Sequence, residues 1–176
     1  MAEFKEGIEI ERKYIIMKPD VELLRKQEGY TVSEIRQTYL ASSDAVTRRV
    51  RHRRYKDADR YYETIKMRVD GMSSLESERE VSCEEYELLL RDIKAGTSTI
   101  IKERHTFEHL GHTIEIDIYP EWCRTAILEV ELPTRDTPVR LPSFISVLRE
   151  VTGNKGYSNA SMAKQFPPED STENVE

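Results

Sequence analysis

Eight acidic side chains of this 176-residue chain fall in pairs two residues apart: Glu9/Glu11, Glu78/Glu80, Glu115/Asp117 and Glu129/Glu131. In each pair the residue between the two acids holds them on one parity, and apolar residues often occupy the other, as in "IEIERKYII" and "TIEIDIY". On an extended strand such a spacing puts two carboxylates on one face about 7 Å apart. At an effective dielectric near 20 they repel by about 2 kcal/mol. A divalent cation removes that cost, and all-carboxylate oxygen donors suit Mg²⁺ or Mn²⁺. On this reading Glu129→Gln relieves repulsion and leaves the fold intact.

Bases share the same alternation. Lys13, Arg49, Arg51, Lys66, Lys102 and Arg104 lie on strand-like segments with the parity of the acids. Arginine forks and lysine point charges are what phosphate oxygens ask for. Glu76 and the strand-end Arg53 and Arg68 are set aside. There is no Walker loop and no GxGxxG, so a polyphosphate must be gripped by side chains. No Ser–His–Asp or Cys–His arrangement can be picked out. His105 and His109 on one strand would be about 13 Å apart, too far to share an ion, whereas His109 and His112 flank a turn.

The elements that must position these residues are about eight strands, near 8–17, 34–40, 46–55, 61–69, 74–82, 99–109, 112–119 and 126–132. Asp20 caps a helix over 21–28. Ser82 and Glu85 have capping-box spacing before a helix that ends at Gly96. "PSFISVLREVTG" reads as a helix with Phe144, Leu148 and Val151 on one stripe, and 158–166 as a short last helix. "HLGH" at 109–112 reads as a hairpin. Two arrangements satisfy the alternation. One is an open sheet with its charged face in water. The other is a barrel closed around a polar lumen, its apolar face outward under helices.

Charged residues make up 34% of the chain and the net charge is −6. That balance argues against a general nucleic-acid or anionic-membrane binder. The segment 167–176 carries four acids and no base and reads as a disordered tail whose removal changes little. Cys83 and Cys123 form no CxxC pair and read as buried or semi-exposed free thiols. No signal-peptide core or membrane-length apolar run is present, so a reducing cytoplasm is expected.

The ordered set "EIERK" (Glu9, Glu11, Lys13), "RVR" (Arg49, Arg51), "TIK" (Lys66), Glu78 with Glu80, "KER" (Lys102, Arg104), "EID" (Glu115, Asp117) and "EVEL" (Glu129, Glu131) resembles the CYTH superfamily, the triphosphate tunnel metalloenzymes. "EVTGNKGYSNASMA" is similar to the closing segment of bacterial members, and the resemblance spans roughly 7–166. It departs where Met67 and Arg68, rather than glycine, follow Lys66, and where Arg79 separates two acids; both bear on substrate preference.

The resemblance implies an α+β fold: an eight-stranded antiparallel β-barrel, a tunnel with a charged lumen, flanked by short helices over 1–166. It implies metal sites at Glu9, Glu11, Asp117, Glu129 and Glu131 for Mg²⁺ or Mn²⁺. Lys13, Arg49, Arg51, Lys66, Lys102 and Arg104 would hold phosphates. Glu9, Glu11, Lys13, Glu78 and Glu80 would be catalytic, the last two, with Glu115, orienting bases or water. The expected activity is metal-dependent hydrolysis of a small triphosphate, foremost tripolyphosphate to pyrophosphate and phosphate. The alternatives on this scaffold are a class IV-like adenylyl cyclase, a thiamine triphosphatase, or a non-catalytic polyphosphate- or RNA-binding module. A homodimer is expected if the helices leave the outer apolar face uncovered.

Overall fold

A computed structural model describes residues 5–43 and 45–170. Strand β1 (Lys5–Met17) leads through α1 (Val21–Leu24) to β2 (Glu28–Leu40), β3 (Thr47–Tyr55), β4 (Ala58–Arg68) and β5 (Ser73–Val81). Helix α2 (Cys83–Leu89) precedes β6 (Ile100–His109), β7 (His112–Ile118) and β8 (Thr125–Glu131), and the chain continues through β9 (Val147–Glu150) and α3 (Asn159–Met162). The sheet order is β5-β4-β3-β2-β6-β7-β8-β1-β9, with β1 also pairing to β5. That extra pairing closes eight antiparallel strands into a barrel and removes their free edges.

Alternation decides which face looks inward. Ile16, Ile114, Ile116, Leu128 and Val130 of the outer face bury themselves with Leu24 of α1, Leu132 and Ile145, and Val139, Leu141 and Phe144 pack against them. Under α2, Leu40, Val50, Val81 and Tyr86 form a second outer cluster. The interior-parity residues Ile15, Tyr39, Ile100, Tyr119 and Ile127 meet Trp122, Val151, Met162 and Ala163 in a third cluster, an apolar plug at the base of part of the lumen. One stretch of the outer face stays uncovered. Ile8, Ile65, Met67, Val69 and Leu75 are exposed, and Leu75 sits opposite both Ile8 and Met67 in register.

Several local expectations hold in detail. Asp20 caps α1 by accepting from Glu22 N, though that helix ends at Leu24 and not at 28, where β2 begins, and Ser82 caps α2 by accepting from Glu85 N. The side chain of Glu85 does not return to close the capping box; it binds Arg79. At the 109–112 turn, Leu110 and Gly111 both have positive φ (50° and 79°), the geometry of a two-residue hairpin loop.

Four expectations are corrected. The stretch 142–153 is not a helix: Val147–Glu150 forms β9 along β1, opposite Tyr14–Ile16. Strand β5 pairs only with Lys5–Ile10, so the later half of β1 offers a free edge, and that demand outweighs a weak helical period. The second helix stops at Leu89 and passes into a 3-10 turn, Leu90–Asp92, because Ile93 is drawn into a bridge with Leu40. Cys83 and Cys123 are free and exposed. Residues 167–170, read from composition as part of a disordered tail, make specific contacts. Glu169 accepts from the backbone N–H of Cys123, Arg124 and Thr125 and from the Thr125 hydroxyl. Asp170 pairs with Arg149, and the Trp122 indole donates to Pro167 O; residues 171–176 lie outside those described.

Glu169 therefore ties the C-terminal segment to the loop beneath the plug. A chain ending at residue 166 loses these bonds and should melt several degrees lower than one ending at 170, taking about 1–2 kcal/mol for charge-assisted bonds at a partly exposed carboxylate and about 2–4 °C per kcal/mol. Thermal melts of the two truncations decide it; identical midpoints would leave the tail without a role in the fold.

Candidate active site

The barrel encloses a cavity of about 460 Å³ lined by Lys13, Arg49, Arg51, Arg53, Lys66, Arg68, Lys102 and Arg104 and by Glu9, Glu11, Asp70, Glu76, Glu78, Glu115, Glu129 and Glu131. Their order around the barrel is not mixed. Acids come from β7, β8, β1 and β5, which are consecutive in the closed sheet, and most bases from β4, β3 and β6, on either side of β2. An acidic arc thus faces a basic arc. Lys13 is the base set within the acidic arc.

Where the arcs meet, the charges pair. At one seam Arg104 binds Asp117 through Nε at 2.6 Å, also engages Glu115, and reaches Glu129 at 3.2 Å. Lys102 Nζ lies 2.5 Å from Asp117. At the other seam Arg51 donates to Glu78 at 2.7 Å, Arg49 meets Glu76 at 3.2 Å, and Lys66 lies 3.2 Å from both Glu9 and Glu76. Within the acidic arc Lys13 binds Glu129 at 2.7 Å.

This bookkeeping leaves charge unsatisfied in two places. On the basic arc, burial and then the neighbouring Arg49 pull Arg51 below its ordinary value despite Glu78. Burial and then Arg104 bring Lys102 down to about 8 despite Asp117. The Nε atoms of Arg49 and Arg51 are buried without an acceptor among the described residues. On the acidic arc, the charge of Glu129 and then burial push Glu11 above the ordinary carboxylate range, and burial pushes Glu9 up against the pull of Lys66. Glu11 and Glu131 are direct cross-strand partners, an arrangement in which like charges destabilise a sheet. The described residues leave positive charge uncompensated on one arc and negative charge on the other.

Most of the sequence-derived residues converge here, with two corrections. Glu80 does not line the cavity; it is exposed and pairs with Arg60 at 3.2 Å. Asp117 is 1% exposed and saturated by Lys102 and Arg104, so it anchors those bases rather than presenting an open oxygen to a metal. Glu129 lines the cavity but is also committed. Burial alone would raise it, yet Lys13, Arg104 and Lys102 hold it well below the usual range. Glu129→Gln would therefore relieve the repulsion on Glu11 but also strip Lys13 and Arg104 of a partner.

The sequence reading set Glu76, Arg53 and Arg68 aside, and all three line the cavity. Glu76 shares the parity of Glu78, a signal that was available. The outward Arg79 engages the buried Glu63 together with Glu85 of α2, which accounts for a base between two acids. At the rim, Gly153 has φ of 74° and a Cβ there would come 3.1 Å from Gly71 O; its own carbonyl accepts from Arg68.

Carboxylate oxygens are the donor type that a hard divalent cation takes. Glu9, Glu11 and Glu131 offer carboxylate oxygens on adjacent strands, and Glu131 has no ion pair among the described residues. Among the described residues, no three acidic, histidine or cysteine side chains are gathered closely enough to hold a metal ion by themselves. An open set of carboxylates completed by phosphate oxygens is the usual manner of binding for Mg²⁺.

Comparison with known proteins bears on the fold. No family model matches the chain, and no curated protein is significantly similar to it in sequence. Among solved structures it is similar to the inorganic triphosphatase NE1496, with a TM-score of 0.56 and 24% identity over 90% of this chain and 96% of that one. Two proteins of Pyrococcus horikoshii, PH1819 and PH1012, give TM-scores of 0.55 at 22% and 21% identity, each over 73% of this chain and 80% of the other. The chain shares their fold. Activity is argued from its own residues.

Because Glu9 and Glu11 have raised pKa values, their ionisation costs the cation-free protein stability as pH rises through those values. A cation that binds only the ionised, folded pair offsets this. Millimolar Mg²⁺ or Mn²⁺ should therefore raise the melting temperature more at pH 8 than at pH 5, and Glu11→Gln should abolish the difference. Equal shifts at both pH values would count against these carboxylates as ligands. Asp117→Asn should cost about 3–5 kcal/mol by leaving buried bases uncompensated, read by urea unfolding; a neutral result would mean that the pairs with Lys102 and Arg104 do not form.

Proposed function

We propose that the protein is a divalent-cation-dependent triphosphatase whose leading substrate is inorganic tripolyphosphate. The observation that carries this reading is the uncompensated positive charge at Arg51 and Lys102 opposite the uncompensated negative charge at Glu9 and Glu11, lining one cavity within the barrel. A chelate of a cation with a chain of phosphates supplies both missing charges at once. Tyr39 is the one aromatic side chain among the described residues lining the cavity, and it is 4% exposed. A site that grips by charge and offers so little ring surface favours a substrate without a base or thiazolium.

In this reading Arg49, Arg51, Lys66, Lys102 and Arg104 hold the phosphate chain in line. Ammonium and guanidinium groups fixed by Glu76, Glu78 and Asp117 stabilise charge developing on the leaving pyrophosphate, at no cost in reorganisation. A carboxylate of the acidic arc takes the proton of the water that attacks the terminal phosphorus as the bond to the leaving oxygen breaks. Glu9, Glu11 and Glu131 are the residues that would hold a divalent cation, whose charge would neutralise phosphate oxygens. The likeness to an inorganic triphosphatase structure supports the scaffold.

A panel of tripolyphosphate, ATP and thiamine triphosphate with Mg²⁺, Mn²⁺ or chelator tests it. Phosphate and pyrophosphate from tripolyphosphate, lost on chelation, are expected. Cyclic AMP from ATP, or tight binding with no product, would overturn it. Lys66→Ala should lower kcat/KM about 30- to 150-fold, the equivalent of a desolvated charge-assisted contact of about 2–3 kcal/mol.

A further inference from the structure

Eight bases line the tunnel, and six of them, Lys13, Arg49, Arg51, Lys66, Lys102 and Arg104, each pair with an acid. Of the other two, Arg68 donates to the carbonyls of Asp70 and Gly153 at the rim. Arg53 is different. It stands on β3 two residues beyond Arg51, on the same inward parity, and forms no ion pair among the described residues. Its register neighbours on either side are Ile35 of β2 and Arg60 of β4, neither of them an acid. Its direction is fixed nonetheless. Nε donates to the hydroxyl of Ser33 at 2.9 Å, and Ser33 is buried and sits opposite Arg104 of β6. A neutral hydroxyl orients the guanidinium fork without neutralising it, which leaves the terminal N–H groups for an anion.

Position along the tunnel decides which anion. Inward residues two apart on a strand are spaced by about 7 Å. Lys66 lies in the row of Thr47, and Arg49 and Arg51 follow on β3. These three bases already span about 13 Å along the strands, longer than three phosphates in line. Arg53 is a further step toward the β3–β4 hairpin, at the end of the barrel away from the Gly71–Gly153 rim. We infer that Arg53 is a length-determining contact. It binds the outer phosphates of a linear inorganic polyphosphate longer than tripolyphosphate, whose other end occupies the grip of Arg49, Arg51 and Lys66. Hydrolysis of such a substrate, to orthophosphate and a polyphosphate one unit shorter, rests on the triphosphatase reading; the binding does not.

Calorimetric titration of tripolyphosphate and of linear hexapolyphosphate into the full-length protein, with chelator to prevent turnover, tests it. Salt at about 0.15 M screens exposed charges more than about 8 Å apart. Arg53→Gln keeps a donor for Ser33 and removes the charge. It should weaken hexapolyphosphate binding at least fivefold and tripolyphosphate binding less than twofold, the latter also showing that the variant is folded. Arg54→Gln, on the outer face beside Asp59, should change neither. Equal weakening for the two lengths, no weakening for hexapolyphosphate, or the same length-selective loss in Arg54→Gln would each overturn the proposal. With Mg²⁺ present, Arg53→Gln should lower kcat/KM for hexapolyphosphate at least fivefold and for tripolyphosphate less than twofold. Absence of hydrolysis by the unaltered protein would overturn the triphosphatase reading and leave the binding comparison intact.

Discussion

Charge inside a closed barrel must be neutralised or it will not stay charged, and this constraint organises the whole molecule. Moving ions out of water costs several kcal/mol each even after relaxation. The barrel meets that cost by sorting. Acids on β7, β8, β1 and β5 confront bases on β4, β3 and β6, and the seams are stitched by Arg104 with Asp117 and by Arg51 with Glu78. Replacing such pairs by apolar residues is often neutral or stabilising, so their retention points to use rather than to stability.

The rest of the fold follows from turning a barrel inside out. With charge inward, the apolar parity of each strand faces outward and must be covered. Leu24 of α1, the 133–146 region with Ile145, and Tyr86 of α2 do most of this. The plug of Ile15, Tyr119, Ile127 and Met162 limits the wet part of the lumen and buries Asp117 beside it. Burial is what gives Lys102 its lowered pKa and what makes a saturated Asp117 necessary.

Strand parity made the charged face legible in the sequence, because a period of two depends only on neighbouring residues. It could not choose between a flat sheet and a tube, since closure is a pairing between Lys5–Ile10 and Ser73–Glu78, far apart in the chain. The family resemblance supplied that step. Partnership was the other hidden layer. Glu11, Asp117 and Glu129 look alike as text, yet one is left short of positive charge and two are claimed by Lys13, Lys102 and Arg104. Glu80 shares its strand face with Glu78 but lies too near the strand end to reach the lumen. The docked Glu169 was hidden for a different reason: composition reports average solvation, not a carboxylate that meets three backbone N–H groups.

The central claim is that the two arcs are complementary halves of one site. Soaking crystals with Mg²⁺ and a non-hydrolysable imidotriphosphate, and locating both by diffraction, tests it most directly. Phosphate density against Arg51, Lys102 and Lys66, with the cation on the side of Glu11 and Glu131, is the predicted result. Phosphate bound outside the barrel, or a cation seated among the bases, would contradict it.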